Sequence, residues 1–287
     1  MGTIKQFCDI EIAPDLFVTY PTGTALDSML SCYQGIPKGV NYMVIGDPGC
    51  GKTTVMLDLL CNLARETPTL RLLFISVEMN EVDLAPYMVR FPKFQYVNIL
   101  FIEPDSGYDT FDTISMTLRD GSYDVVVLDS FVVAQGIIAE ERGVTMKRAG
   151  DRLLDIIKKN NKGGNSLKTL TSFLTIQQMT KSGEFLGSNR LKHAVTGVME
   201  LHLEDRRNVH SSRYITFSKH RRGEPGERLF YSLAQGGDVV FDGERLELDR
   251  KIQELQAEDR ENIRSGADNF DTYYFTNDID DQVNGIL

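Results

Sequence analysis

Gly46-Asp47-Pro48-Gly49-Cys50-Gly51-Lys52-Thr53-Thr54 follows the apolar run Tyr42-Met43-Val44-Ile45 and leads into a helical stretch, Thr54 to Glu66. The Gly-x-x-x-x-Gly-Lys-Ser/Thr pattern requires that setting, a strand before it and a helix after, and so points to an α/β sheet with this loop at a strand's carboxyl end. Each residue type has a physical task. Glycines let backbone N–H groups crowd around a phosphate, Lys52 neutralises the β and γ oxygens, and the Thr53 hydroxyl ligates magnesium. The helix begun by Lys52 adds the positive end of its dipole. The loop from Gly46 to Thr54 therefore implies a site for a nucleoside triphosphate with Mg2+.

A chain of 287 residues with 41% hydrophobic content is long enough for one large α/β domain and an appendage, rather than two full domains. No apolar stretch approaches the length of a membrane span, and Met1 to Ile10 lacks the basic-then-apolar pattern of a signal peptide, so a cytoplasmic protein away from membranes is expected. Cys8, Cys32, Cys50 and Cys61 form no Cys-x-x-Cys pair, which argues against a zinc site or a disulfide framework. His193, His202, His210 and His220 match no metal-binding spacing and read as ordinary strand and loop histidines. The net charge of −10 argues against a general nucleic-acid binder, but its distribution weakens the objection. Lys181 to Arg228 holds ten basic against six acidic residues, whereas Gly266 to Leu287 has five aspartates and no basic residue.

After the phosphate loop, Leu70–Val77, Tyr96–Ile102, Val125–Leu128 and Phe173–Ile176 are largely apolar runs, as strands buried on both faces are. Helical stretches over Val82–Arg90, Asp109–Asp120 and Met146–Lys159 separate them. Val198–Leu203, Tyr214–Ser218 and Arg228–Leu233 are joined by short polar turns and read as an antiparallel extension. The expected fold is thus a mainly parallel twisted sheet flanked by helices, with a C-terminal antiparallel extension. Its expected division is an N-terminal arm over 1–21, a core over 22–243, a charged helix over 244–265 and an acidic-aromatic tail over 266–287. In that tail, aspartates mixed with Phe270, Tyr273, Tyr274 and Phe275 suit a segment that folds onto a protein partner, or a plain solvated end.

Further motifs narrow the chemistry. The strand Tyr123 to Leu128 ends in Asp129, an acid placed to hold magnesium with Thr53. Glu78, at the end of Phe74-Ile75-Ser76-Val77, suits a general base that orients the attacking water, or else merely a charge preceding the helix from Val82. Gln178 follows another strand, where its amide can sense the bound nucleotide, and Gln177 competes for that role. Lys219-His220-Arg221-Arg222-Gly223 presents cations ahead of a turn, suited to stabilising phosphate charge on a neighbouring subunit or to coating a solvated turn.

Thr22-Gly23-Thr24-Ala25-Leu26-Asp27, Gly35-Ile36-Pro37-Lys38-Gly39 and the phosphate loop together resemble the entry to the catalytic core of RecA-superfamily ATPases of the RadA (Sms) and KaiC kind. Ser76-Val77-Glu78-Met79 is similar to a segment of DnaB-type helicases, and Lys219 to Gly226 resembles the Lys-x-Arg-x-Gly motif of RadA. Gln178 to His193 is similar to the post-strand loop of RadA. The likeness spans about Thr22 to Leu233 and identifies a RecA-like P-loop NTPase. It implies a homo-oligomeric ring or filament with ATP between subunits, Glu78 as activating carboxylate, and Lys219 with Arg221 reaching across the interface. It also implies single-stranded DNA as partner, met by Lys181, Arg190 and Lys192 in the loop Thr180 to Lys192 and by the segment after Ser130. Gln178 stands where RadA has a histidine, and the loop Met179 to Ser188 is shorter than the strand-exchange loop of RecA proper. The leading expectation is an ATP-driven translocase or helicase on single-stranded DNA in replication or recombination. A recombinase-like filament and a KaiC-like assembly or signalling ATPase without DNA are the alternatives.

Overall fold

The computed structural model describes residues 17–103, 107–161, 170–178, 194–208, 210–235 and 237–264, with residues 4 and 6. The chain forms two compact units, Met1–Gly243 and Glu244–Leu287. In the first, a two-stranded ribbon of β1 (Thr19–Tyr20) and β2 (Ile36–Pro37) accompanies a nine-stranded sheet. The sheet contains β3 (Asn41–Gly46), β4 (Leu72–Ser76), β5 (Ile99–Phe101), β6 (Val125–Asp129), β7 (Ser172–Ile176), β8 (Gly197–Leu203), β9 (Arg213–His220), β10 (Leu229–Leu233) and β11 (Val239–Phe241), in the spatial order 11-10-9-8-3-7-6-4-5. The helices are α1 (Asp27–Leu30), α2 (Lys52–Glu66), α3 (Glu81–Arg90), α4 (Thr110–Gly121), α5 (Phe131–Glu141) and α6 (Met146–Asn161). A further helix, α7 (Gly243–Arg264), accounts for the described part of the second unit. No described helix is long and apolar enough to cross a membrane.

Strands β3, β4, β6 and β7 are buried at every position, which is why their sequences are largely apolar. Alternate residues serve opposite faces. Met43, Ile45, Ile75 and Leu128 pack with Phe131 and Ile138 of α5 and Leu153 and Ile157 of α6. Val55, Met56, Leu59, Leu60 and Leu63 are buried on α2, which packs against β3, β4 and β7. With helices on both faces, the turns after β3, β4, β6 and β7 meet along one sheet edge, where ligands of open α/β sheets bind.

The structure departs from the sequence reading at three elements. β8 is not the first antiparallel strand: it pairs parallel to β3 and antiparallel to β9, so the extension is β9 to β11. Bordering one neighbour of each kind, it alternates buried and half-buried residues only toward its end, and that alternation resembles a hairpin. Tyr96–Ile102 contributes only Ile99–Phe101 to the sheet, because Pro92 opens a 3₁₀ turn over Pro92–Tyr96. The segment after Ser130 is a helix and not a loop. It is α5, whose Phe131, Ala134 and Ile138 are in the core, and its nearly continuous apolarity left no helical period to read. Thr180 to Lys192, with Lys181, Arg190 and Lys192, and the tail Gly266 to Leu287 lie outside the described residues.

Candidate active site

The phosphate loop is pinned from behind. Gly46 brings β3 so close to β8 that a Cβ there would lie 2.2 Å from the Leu201 carbonyl oxygen. Gly51 takes φ 91° immediately before α2, the left-handed conformation glycine adopts without strain. Asp47 N–H donates to the Leu201 carbonyl at 3.0 Å, and the Tyr231 hydroxyl donates to the Cys50 carbonyl at 2.7 Å. On the other side, half-buried Lys52 Nζ donates to the carbonyls of Gly46 and Asp47 at 3.1 and 3.2 Å. The Thr53 hydroxyl donates to Asp129 Oδ2 at 2.7 Å. Asp129 is buried at the end of β6, and its carbonyl accepts from the N–H groups of Val77 and Glu78 at 2.7 and 3.3 Å. These bonds join the β4 exit to the β6 end. Burial and the nearby Glu78 charge push the Asp129 carboxyl up to about 6, against the opposing pull of the Thr53 hydroxyl and Lys52.

Glu78 lies past the end of β4, which stops at Ser76. The Ser76 hydroxyl donates to the Met79 carbonyl at 2.6 Å, and Asn80 caps α3 by a reciprocal pair of hydrogen bonds with Asp83. The capping acids of α3 are therefore other residues, and Glu78 is left facing the cavity. Its Oε2 accepts from Gln178 Nε2 at 3.1 Å. Gln177 is fully buried and its N–H donates to the Val44 carbonyl at 2.8 Å, so Gln178 is the amide that reaches the site. A cavity of about 370 Å³ is lined by Gly46, Pro48, Gly49, Gly51, Lys52, Thr53, Thr54, Glu78, Asp129 and Gln178. Tyr87 of α3 and Ile176 of β7 complete the wall.

Neither Asp47 nor Cys50 lines that cavity, although both belong to the sequence motif. Asp47 instead turns toward β8. Tyr87 was not anticipated, since in the sequence it is one more residue of a helix. It also lines a second cavity of about 210 Å³ with Thr54, Arg90, Phe91 and Leu233, where an aromatic ring beside the phosphate loop offers a surface for a base. Lys219 and Arg221 are not brought to this cavity. Lys219 Nζ donates to the Val195 carbonyl at 2.9 Å, and burial with the Arg221 charge lowers its ammonium pKa. His220 between them stacks on Phe217 and bonds the Met29 carbonyl at 2.8 Å.

The donor set fits a magnesium-bound triphosphate. Lys52 holds its charge against two loop carbonyls that a phosphate can replace. Asp129 is a buried carboxylate crowded by a second carboxylate, an arrangement that a divalent cation relieves.

A family model described as the RecA N-terminal domain matches residues 6–188. The chain belongs to this family. Protein RecA of Solidesulfovibrio magneticus is 27% identical to this RecA-family chain, over 93% of it and 80% of that protein. Protein RecA of Clavibacter michiganensis is 30% identical over 65% of the chain, which spans half of that relative's length. Among solved structures, a KaiC-like protein from Pyrococcus horikoshii has a TM-score of 0.59 at 17% identity, covering 78% of this chain and 99% of its own. The flagellar accessory protein FlaH from Methanocaldococcus jannaschii has a TM-score of 0.57 at 14% identity, covering 76% and 94%. The RecA-superfamily core and its mixed, mostly parallel sheet are thus present in sequence and in fold.

Proposed function

We propose that the chain hydrolyses ATP and couples hydrolysis to movement on single-stranded DNA. The observation that carries the reading is the Glu78–Gln178 pair on the wall of the cavity that also holds Lys52, Thr53 and Asp129. Loop N–H groups and Lys52 hold the phosphates, while Glu78 accepts the proton of the attacking water and Gln178 orients that carboxylate. Thr53 and Asp129 would hold Mg2+, which would supply charge neutralisation. The family membership supports ATP as substrate, and the RecA-named relatives favour a second reading, a filament on single-stranded DNA that pairs strands.

Turnover is expected to rise when single-stranded DNA is added, and the stimulation is expected to fade as salt increases, because phosphate contacts release counterions. Turnover indifferent to DNA at every salt concentration would discard the DNA reading in favour of a nucleotide-switched assembly. Directional strand displacement without joint molecules separates the translocase from the filament.

Lys219 and Arg221 are assigned to a neighbouring subunit's nucleotide, consistent with their absence from the lining of their own cavity. Arg221→Ala is expected to lower turnover by about tenfold or more, within the range of a lost charge-stabilising contact. Mixing it with Lys52→Ala subunits, which keep the arginine, is expected to restore part of the rate. Absence of rescue in the mixture argues for action within one subunit.

A further inference from the structure

Behind the phosphate loop, on the side away from the cavity, four charged or titratable groups converge. Asp47 Oδ2 accepts from Leu203 N–H at 3.2 Å and lies 3.4 Å from His202 Nδ1, while its Oδ1 lies 3.1 Å from Arg206 Nε. The other imidazole nitrogen, His202 Nε2, lies 2.9 Å from Glu200 Oε2. Glu200 and His202 are two residues apart on β8 and so share one face of the strand. Both ring nitrogens of His202 thus meet a carboxylate. A neutral imidazole has one N–H and serves only one of them, whereas the imidazolium donates to both.

We propose that Glu200, His202 and Arg206 form a brace that positions the phosphate loop through Asp47 and ties the loop's affinity for phosphate to the charge on His202. The inference rests on the reading that this loop binds nucleotide phosphate. Asp47 is the connecting residue: its side chain enters the brace, and its carbonyl accepts from both Lys52 Nζ and Cys50 N–H. A buried carboxylate in this loop repels an incoming phosphate unless it is compensated. Arg206 compensates from an exposed position, its side chain 60% accessible, so solvent screens its charge. The His202 side chain is only 12% accessible and acts with less screening.

One aromatic ring also lies against His202. Tyr214, its cross-strand partner on β9, has its ring centroid 5.3 Å away, and Arg228 sits 5.0 Å from that ring. The Glu200 hydrogen bond foremost, and Asp47 after it, raise the imidazolium pKa above its ordinary value despite partial burial. The sign follows. Phosphate affinity is highest where His202 is charged and falls as pH rises through its raised midpoint.

The test measures binding of magnesium-free ADP, in chelator, to the wild type and to His202→Gln from about pH 6 to about pH 8.5, the range in which a histidine titrates. The ratio of the two affinities cancels the ligand's own proton chemistry. That ratio is expected to favour the wild type by about threefold to tenfold at the acid end, the effect of one charge at moderate screening, and to approach unity at the alkaline end. In parallel, the His202 ring proton is titrated by NMR. ADP is expected to move its midpoint up, by reciprocity, and Asp47→Asn is expected to move it down, since one of the two carboxylates is gone. A ratio flat across pH while both proteins bind ADP overturns the brace and leaves the nucleotide reading standing. Wild type that binds no ADP at any pH overturns both. If His202→Gln does not fold, a wild-type midpoint unmoved by ADP decides against the brace by itself.

Discussion

Lys52→Ala is expected to weaken ATP binding by roughly a hundredfold and to abolish measurable turnover, the loss of about 3 kcal/mol that follows when one partner of a close charge pair is removed. The reason is local. Lys52 begins α2 on the cavity wall, and its ammonium already rests on the Gly46 and Asp47 carbonyls, a position from which it exchanges those acceptors for phosphate oxygens. The same contacts predict that the fold tolerates the change. Two hydrogen bonds from a half-buried ammonium contribute on the order of 1 kcal/mol each, and alanine favours the helix it joins. Calorimetric titration with ATP and a thermal melt, run on the same sample, separate loss of binding from loss of structure. Undiminished affinity in a folded variant would remove Lys52 from the phosphate site.

Glu78→Gln is expected to lower turnover by about 10²- to 10⁴-fold while leaving ATP affinity within a few fold. The change is nearly isosteric, and Glu78 is exposed, so neither packing nor burial offers another cause. Nucleotide binding is expected to hold or to tighten slightly, because a negative charge near the triphosphate is gone and the Asp129 carboxyl, no longer raised by it, ionises more readily beside Thr53. Single-turnover hydrolysis measured beside equilibrium binding checks this. Turnover equal to wild type would exclude Glu78 as the activating base and return it to the role of a charge beside α3.

The phosphate loop, the strand that feeds it and the helix that leaves it were legible because the motif imposes residue types: glycine where β3 touches β8 and before α2, lysine and threonine where ligands are needed. The placement of Asp129 and Glu78 at the cavity was legible because acids that follow buried strands come to the sheet's carboxyl edge. The Glu78–Gln178 pairing was not, since the two lie a hundred residues apart and Gln177 remained a competitor until the fold buried its side chain beyond the end of β7. Tyr87 was hidden for the same reason: its proximity to Thr54 exists only once α3 folds back from β4 toward α2. α5 was missed because a nearly all-apolar segment has no period, and only burial against Leu153 and Ile157 defines its face.

By itself the sequence determined the local chemistry of this protein: a loop shaped for phosphate, the strands that alternate with helices around it, and the membership that these motifs imply. Local composition sets backbone preference and the period of burial, and both are written in consecutive residues. Only the tertiary structure decided which distant side chains meet. It turned Asp47 away from the cavity toward His202 and Arg206, set β8 parallel to β3, and left Lys219 and Arg221 outside the cavity lining. Those outcomes depend on strand order and register across the sheet, which long-range packing fixes and no short window of sequence contains.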